Sequence, residues 1–477
     1  MTTTQEKFQK VIGLEIHVRI KSKEKMFCSD KNSLALTAEP NSDVSAVSMF
    51  PGMLPVLNPE VVKLGLIGGM MMNCTVNKVS RFDRKTYFYP DNPLSYQITQ
   101  LYEPIVGPGS VKTLVAEERE FSIHHMHLEN DAGKLIHAGK TLCDFNRAGA
   151  PLMEIVTDPV FREKEEVTEF LKELQKMFRA AGVSDADMEK QMRCDVNLSI
   201  MPKSTVFGRR VELKNINSFS AIARAIDHEF ARQVKIVTSG GQVDQETRGW
   251  DDDAGRSHTQ RSKEDAMDYR YFPEPDLLPI VLDDEFIQQC RDALPPLPHT
   301  KRMQYIHEYG LGDDDARILS ADSELGKYFD ETVSYGNDPK KACSYITTVL
   351  LALMNEKNIF SISDISVTPQ KLGEIISMIN ADELSSTNAK IVIETIFQNG
   401  GNPRDIAQEK NLLQTNDTEV LQSIVDTVLA QNTQQVDDYK NGNERIFFLV
   451  GQCMKTSKGS GNPKIFTQLL QKSLDGK

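Results

Sequence analysis

Cysteine is scarce in this sequence of 477 residues: there are seven, an odd number, with no CxxC pair among them. That excludes a dense disulfide framework and fits reduced thiols in a cytosolic setting. Long apolar runs are missing too. The longest is the glycine-rich Leu64–Met72, too short to span a bilayer. The N-terminal MTTTQEKFQKVIGLE lacks an apolar h-region, so no signal peptide is expected. Internal repeats and low-complexity tracts are absent from the pattern as well.

What is there is ordinary globular composition, with 39% hydrophobic and 26% charged residues. The length implies about three domains and a core large enough to need neither disulfides nor a structural metal. Net charge is −13, which opposes indiscriminate nucleic-acid binding. The charge is uneven, however. From Lys440 onward, Lys440, Arg445, Lys455, Lys458, Lys464, Lys472 and Lys477 stand against Glu444 and Asp475, a balance of +5.

Periodicity divides the chain. Residues 1–293 mix period-2 strands with a few helices, and the rest is helical. The pattern predicts an α+β protein with domains 1–293, 294–406 and 407–477. ALPPLPHT (Ala293–Thr300) reads as a linker because its prolines remove donors and restrict their predecessors. NGGNP (Asn399–Pro403) reads as a helix end followed by a helix start. In FREKEEVTEFLKELQKMFRAAGV, Val167, Phe170, Leu171, Leu174, Met177, Phe178 and Ala181 share one helical face, and Gly182 closes the helix. That stripe is core.

Four strands carry the chemistry. In VIGLEIHVRI, Leu14, Ile16, Val18 and Ile20 oppose Glu15, His17 and Arg19. In HHMHLEND, Met126 and Leu128 oppose His125, His127, Glu129 and Asp131. In MRCDVNLSI, Cys194, Val196 and Leu198 oppose Arg193, Asp195 and Asn197. In RRVELKN, Val211 and Leu213 oppose Arg210, Glu212 and Lys214. Any one of these is a half-buried antiparallel strand with a wet face. Together, on one sheet, they gather Glu15, Glu129, Asp131, Asp195 and Glu212, which repel unless a cation sits among them. Carboxylates with imidazoles suit Mg²⁺ or Mn²⁺, and interleaved Arg and Lys suit phosphate. The combination fits metal-assisted phosphoryl transfer. GKLIHAGKT (Gly133–Thr141) imitates a P-loop but fails on spacing and context. FDRKTYFYPDNP (Phe82–Pro93) and SKEDAMDYRYFPEPDLLP (Ser262–Pro279) read as polar-aromatic loops lining a site.

VIGLEIHVRI, PGMLPVLNPE, FDRKTYFYPDNPLSYQITQ, HLENDAGK, NRAGAPLMEIVTDP, MRCDVNLSI, VELKNINSF and DYRYFPEPDLLP lie in order across Val11–Pro279. Over that span the chain resembles the GatB family, the B subunits of tRNA-dependent amidotransferases. Its helical remainder resembles that family's linker and YqeY-like tail. The resemblance implies a glutamine-synthetase-like cradle of mainly antiparallel strands, then an all-α linker domain and an all-α tail. It implies a cytoplasmic heterotrimer completed by the family's amidase (A) and small (C) subunits, with no membrane contact. In that assembly ATP and Mg²⁺ serve to phosphorylate the side-chain carboxylate of misacylated tRNA, Glu-tRNA(Gln) or Asp-tRNA(Asn). Ammonia released from glutamine by the amidase then displaces the phosphate.

By the same resemblance Glu15, His17, Glu129, Asp195 and Glu212 are the metal and catalytic set. Arg193 and Lys214 join them as electrostatic clamps. Lys85, Tyr87, Asn197 and Arg210 are assigned to the nucleotide, and Lys455, Lys458 and Lys464 to tRNA. Two departures stand out. Relatives with two cysteine pairs bind zinc, whereas only Cys28 remains here; one thiol builds no four-ligand site, so no structural zinc is expected. Asn130 stands where many relatives have a second glutamate, which leaves Glu129 as the expected ligand. The competing readings are a non-catalytic tRNA-binding scaffold and a metal-dependent hydrolase that needs no ATP.

Overall fold

The computed structural model describes all residues except 1–7, 34–38, 116, 189, 203–207, 263–267, 360, 416, 441–445, 458–459 and 476–477. It divides into two compact units, Met1–Thr300 and Lys301–Lys477. The architecture is α+β, with antiparallel sheet in the first unit and helices in the second.

The first unit is built on an eight-stranded sheet. Its strands are β1 (Phe8–Arg19), β2 (Gly109–Leu114), β3 (Glu118–Asn130), β4 (Pro151–Thr157), β5 (Met192–Pro202), β6 (Val211–Lys214), β7 (Glu246–Asp251) and β8 (Arg256–Ser262). Their order is β8-β7-β6-β5-β1-β4-β3-β2. The β6–β7 pair is parallel; the other neighbours run antiparallel. The four strands read from the sequence therefore share one sheet, with β4 inserted between β1 and β3.

One face of that sheet is apolar. Leu14, Ile16, Val18, Met126, Leu128, Met153, Ile155 and Val196 are fully buried in the main core. Helices α1 (Pro59–Met71), α2 (Lys164–Ala180) and α3 (Phe219–Thr238) contribute to the same core. The glycines of the Leu64–Met72 run have a packing cause. A Cβ at Gly69 would meet Val106 at 2.8 Å, and one at Gly65 would meet Leu128 at 2.8 Å, so the helix approaches the sheet more closely than alanine permits. Helix α2 buries Val167, Phe170, Leu171, Leu174, Met177 and Phe178 as the periodicity predicts, and Gly182 follows it at φ +65°.

Two expectations need correction. FDRKTYFYPDNP is not wholly loop, because Asp83–Thr86 pairs with Tyr96–Thr99 on one side and Phe272–Pro273 on the other. Its charged alternation hid a strand. The linker is also shorter than its prolines imply. One helix ends at Asp292, and Pro298 already opens another that reaches His307, since proline is well tolerated in a first turn. The P-loop imitation is a hairpin, Lys134–Ala138 with Lys140–Asp144, turning at Gly139.

The second unit holds two separate apolar clusters, one within residues 305–407 and one within 421–474. At NGGNP, the helix Ser386–Asn399 ends on Gly400 at φ +70°. Asn402 then caps Pro403–Glu409 through its side chain.

Candidate metal centre and reaction cleft

The polar face of the sheet forms the floor of a cleft of about 680 Å³. Strand register arranges that face in rows, of which Glu15, His17, Arg19, Glu129, Leu152, Arg193 and Asp195 line the cleft. Asp195, Glu15, Val156 and His125 lie side by side across β5, β1, β4 and β3. The next row is Arg193, His17, Glu154 and His127, and the third holds Arg19, Leu152 and Glu129. Glu212 extends the face onto β6, opposite Asn197. All five sequence-predicted metal residues thus share one face.

At the centre stands Glu154, which sequence reasoning passed over. Its Oε2 lies 3.2 Å from His17 Nε2 and 3.3 Å from His127 Nε2. Two sets of donor atoms converge there, Glu15 with His17 and Glu154, and His127 with Glu129 and Glu154. Within each set the atoms lie within 4.8 Å of one another. Glu154 was hard to see because β4 is buried on both faces. It reads as an apolar run, PLMEIVT, with one anomalous charge. That buried charge was the available signal.

Electrostatics knit the centre. Burial alone would lower His17, but its pairing with Glu154 and the charges of Glu129 and Glu15 raise it to about 9. His127 is raised against burial by the same Glu154. Burial would raise Glu154, yet the two imidazoles hold it well below the usual carboxylate range. Glu15 moves up, chiefly through burial and then through the charge of Glu154. Lys85 is raised despite burial by Glu129 and Glu154, and Lys214 by Asp195 and Glu212. Imidazolium and ammonium groups therefore balance the carboxylates.

The residues test well against a bound divalent cation. Glu129 is 3% exposed. Its Oε1 accepts a hydrogen bond from Gln97 Nε2 at 3.1 Å, and Lys85 Nζ lies 3.6 Å from Oε2. That Oε2 has no hydrogen-bond partner, and neither has buried His127 Nδ1. An orphaned buried carboxylate oxygen beside a carboxylate–imidazole cluster is what a hard cation satisfies.

Other predicted residues spread outward. Asp195 is bonded to Lys214, which also lies 3.2 Å from Glu212. Glu212 accepts from Thr247 Oγ1 at 2.7 Å and stands off the donor clusters, as does Asp195. Arg193 is exposed and lines the cleft together with Lys85 and Tyr87. Asn197 neighbours Glu212, and exposed Arg210 acts on Glu212 by charge, but neither lines the cleft. Asn130 does no ligand work, because its Oδ1 accepts Ile98 N–H at 2.6 Å. Tyr89 and Asp91, in the segment expected to line a site, and Asp131, on the wet face of β3, all line the cleft; Arg147, which the sequence reading did not single out, lines it too and pairs with Asp131 at 3.2 Å.

Residues 10–288 match the family model of the GatB/GatE catalytic domain. The chain belongs to the GatB family. A second GatB domain model matches residues 327–474. The aspartyl/glutamyl-tRNA(Asn/Gln) amidotransferase B subunit of Clostridium botulinum (strain Okra) is 42% identical over 470 residues, covering 97% of this chain and 98% of that protein. The B subunit of the same name from Persephonella marina is also 42% identical, over 98% of this chain and 99% of its own length. That of Caldicellulosiruptor bescii is 41% identical over 98% and 99%. The end-to-end match places this GatB chain's helical second unit, as well as its sheet, within the family pattern.

In the second unit, Lys455 is exposed in the last turn of Phe447–Thr456. Lys464 opens the next helix and pairs with Asp382 at 2.9 Å, so its charge is partly answered. Lys458 lies outside the described residues. No described helix is long and apolar enough to cross a membrane.

Proposed function

We propose that this chain is the kinase and transamidase component of a cytoplasmic tRNA-dependent amidotransferase. It takes Glu-tRNA(Gln), Asp-tRNA(Asn) or both as substrates. The carrying observation is the carboxylate–imidazole cluster with orphaned Glu129 Oε2, on the floor of a cleft, in a chain that matches amidotransferase B subunits end to end.

Glu15, His17 and Glu154, with Glu129 and His127, are the residues that hold Mg²⁺ in this reading. Bound Mg²⁺ neutralises charge between the phosphates of ATP and the substrate carboxylate. Arg193 presents its guanidinium beside the His17 row, where it steadies the transferred phosphoryl group. Lys214 neutralises Asp195 and Glu212 and keeps that side of the floor from repelling anions. The γ-phosphoryl group passes to a carboxylate oxygen and ADP leaves. Ammonia then forms the amide bond at the acyl carbon, and phosphate departs. Lys85 and Tyr87 wall the cleft against water, which would otherwise hydrolyse the activated acyl group. A zinc site is not part of this proposal, since Cys28 is a lone thiol.

The ammonia source is a separate amidase subunit, with a small third subunit completing the heterotrimer. In keeping with this, the first unit exposes the apolar side chains of Leu54, Val56, Leu278 and Val281, which docked subunits would cover. The roles divide as 1–293 for chemistry, 294–406 as a helical linker domain and 407–477 as the tail that meets the tRNA body. Reconstituted complex tested with both misacylated tRNAs, ATP and glutamine should convert at least one to the amide form. Failure with both, in a complex with working glutaminase activity, would leave the non-catalytic scaffold reading in its place.

A further inference from the structure

At the lip of the cleft the chain exposes large aromatic side chains from a tightly held loop. Phe88 is 77% exposed and Tyr89 58%. The backbone of the loop that carries them is held by hydrogen bonds. Buried Asn92 donates through Nδ2 to Tyr87 O at 2.9 Å, and through its backbone N–H to Tyr89 O at 3.0 Å. Tyr87 N–H donates to Ser95 O at 3.1 Å, and Gly133 N–H to Asp91 O at 2.7 Å. The aromatic rings are thus presented by a fixed scaffold, at the standing cost of leaving apolar surface in water.

The surroundings specify what covers them. Tyr87 meets Tyr269 edge-on at 6.1 Å, and Tyr269 meets Tyr271 at 6.0 Å. Lys85 Nζ lies 5.4 Å from the Tyr269 ring centroid, and Arg84 lies 4.2 Å from that of Tyr96. Two segments, RKTYFY and YRYF, thus interleave aromatic and basic residues and are stitched together where Phe272 pairs with Arg84 and Thr86 N–H bonds Tyr269 O. Aromatic faces interleaved with cations are how proteins hold unpaired nucleotides, because each base offers a π-face and each phosphate a charge. Aromatic residues and Arg are common at protein contacts too, so the occupant is decided by where the platform leads. Tyr89 also lines the reaction cleft alongside Lys85 and Tyr87, so the platform is continuous with the site where the chemistry takes place.

We propose that Phe88 and Tyr89 form a stacking platform for an unpaired nucleobase at the 3′ end of the RNA substrate. The proposal rests on the reading of this chain as a component of a tRNA-dependent enzyme, and it goes further by naming the surface that seats the single-stranded end. Stacking there fixes the terminal ribose, and hence the attached aminoacyl group, over the acidic floor.

The test uses the reconstituted three-subunit complex and uncharged tRNA bearing 2-aminopurine in place of its terminal adenine. Binding of this probe to the wild-type complex should change its fluorescence through stacking. Phe88→Ala and Tyr89→Ala should each weaken probe binding about tenfold, within the range of a lost base–aromatic stack. Phe88→Trp, which keeps a ring, should restore binding. Wild-type affinity in both alanine variants would overturn the proposal. Competitive displacement of the probe signal by Mg·ATP would overturn it as well, by assigning the platform to the base of the nucleotide. So would loss of a partner protein from Phe88→Ala on size exclusion, which would make the patch a protein contact. Because the readout is binding, an inactive wild-type complex would count against the proposed reaction and leave the platform's own result standing.

Discussion

His17 and Glu154 face each other across the β1–β4 ladder, with imidazole Nε2 3.2 Å from carboxylate Oε2. The same oxygen reaches His127 on the other side. One buried carboxylate therefore ties together three strands and both imidazoles of the proposed metal centre.

Glu154→Gln keeps the shape of that group and removes its charge. In the complex, the Mg²⁺ concentration for half-maximal tRNA-dependent ATP turnover should rise by roughly 10- to 100-fold. A Mg²⁺ titration of initial rates checks this. An unchanged midpoint would mean that Glu154 only braces the sheet.

The cation-free protein should carry a pH signature. His17 titrates near 9 when folded, above its ordinary 6.5. A raised value contributes stability that is fully present below about pH 6.5 and is lost as pH climbs through 9. With chelator present, urea midpoints should therefore fall between pH 6.5 and 9, and Glu154→Gln should flatten that fall. A midpoint that rises over this range would contradict the pairing.

Gly69→Val tests the close helix–sheet contact. The added carbons press on Val106 and Met126, with overpacking expected to cost about 1–3 kcal/mol. Denaturant unfolding of the variant should show a lower midpoint with little change in slope.

The tail is tested by truncation before Gln408 and by Lys455→Glu. Both should weaken aminoacyl-tRNA binding, and the charge reversal should reduce its salt dependence. Glutaminase turnover in the complex should change little. Wild-type tRNA affinity in the truncated complex would reduce the tail to a structural cap.

Legibility in the sequence followed burial. β1, β3, β5 and β6 were readable because apolar and polar residues alternate along each, so Glu15, His17, Glu129, Asp195 and Glu212 could be placed on a shared surface from alternation alone. β4 was not, because with both faces covered its alternation vanishes and Glu154 looks like an accident in PLMEIVT. Its partners come from strands remote in sequence, and periodicity says nothing of that. Asp83–Thr86 failed for the opposite reason. Its partners, Tyr96–Thr99 and Phe272–Pro273, lie in short segments dominated by turn residues. The aromatic loop was legible as site lining, but its rigidity rests on the bonds of buried Asn92, which no spacing rule reveals.

The most direct measurement is tRNA-dependent ATP hydrolysis by the reconstituted complex carrying Glu129→Gln, with glutaminase turnover followed in parallel. Misacylated tRNA should stimulate ATP hydrolysis in the wild type. The substitution should lower the stimulated rate by roughly a hundredfold or more, while hydrolysis of glutamine persists. ATP turnover in Glu129→Gln equal to wild type would contradict the assignment of the reaction to this acidic floor.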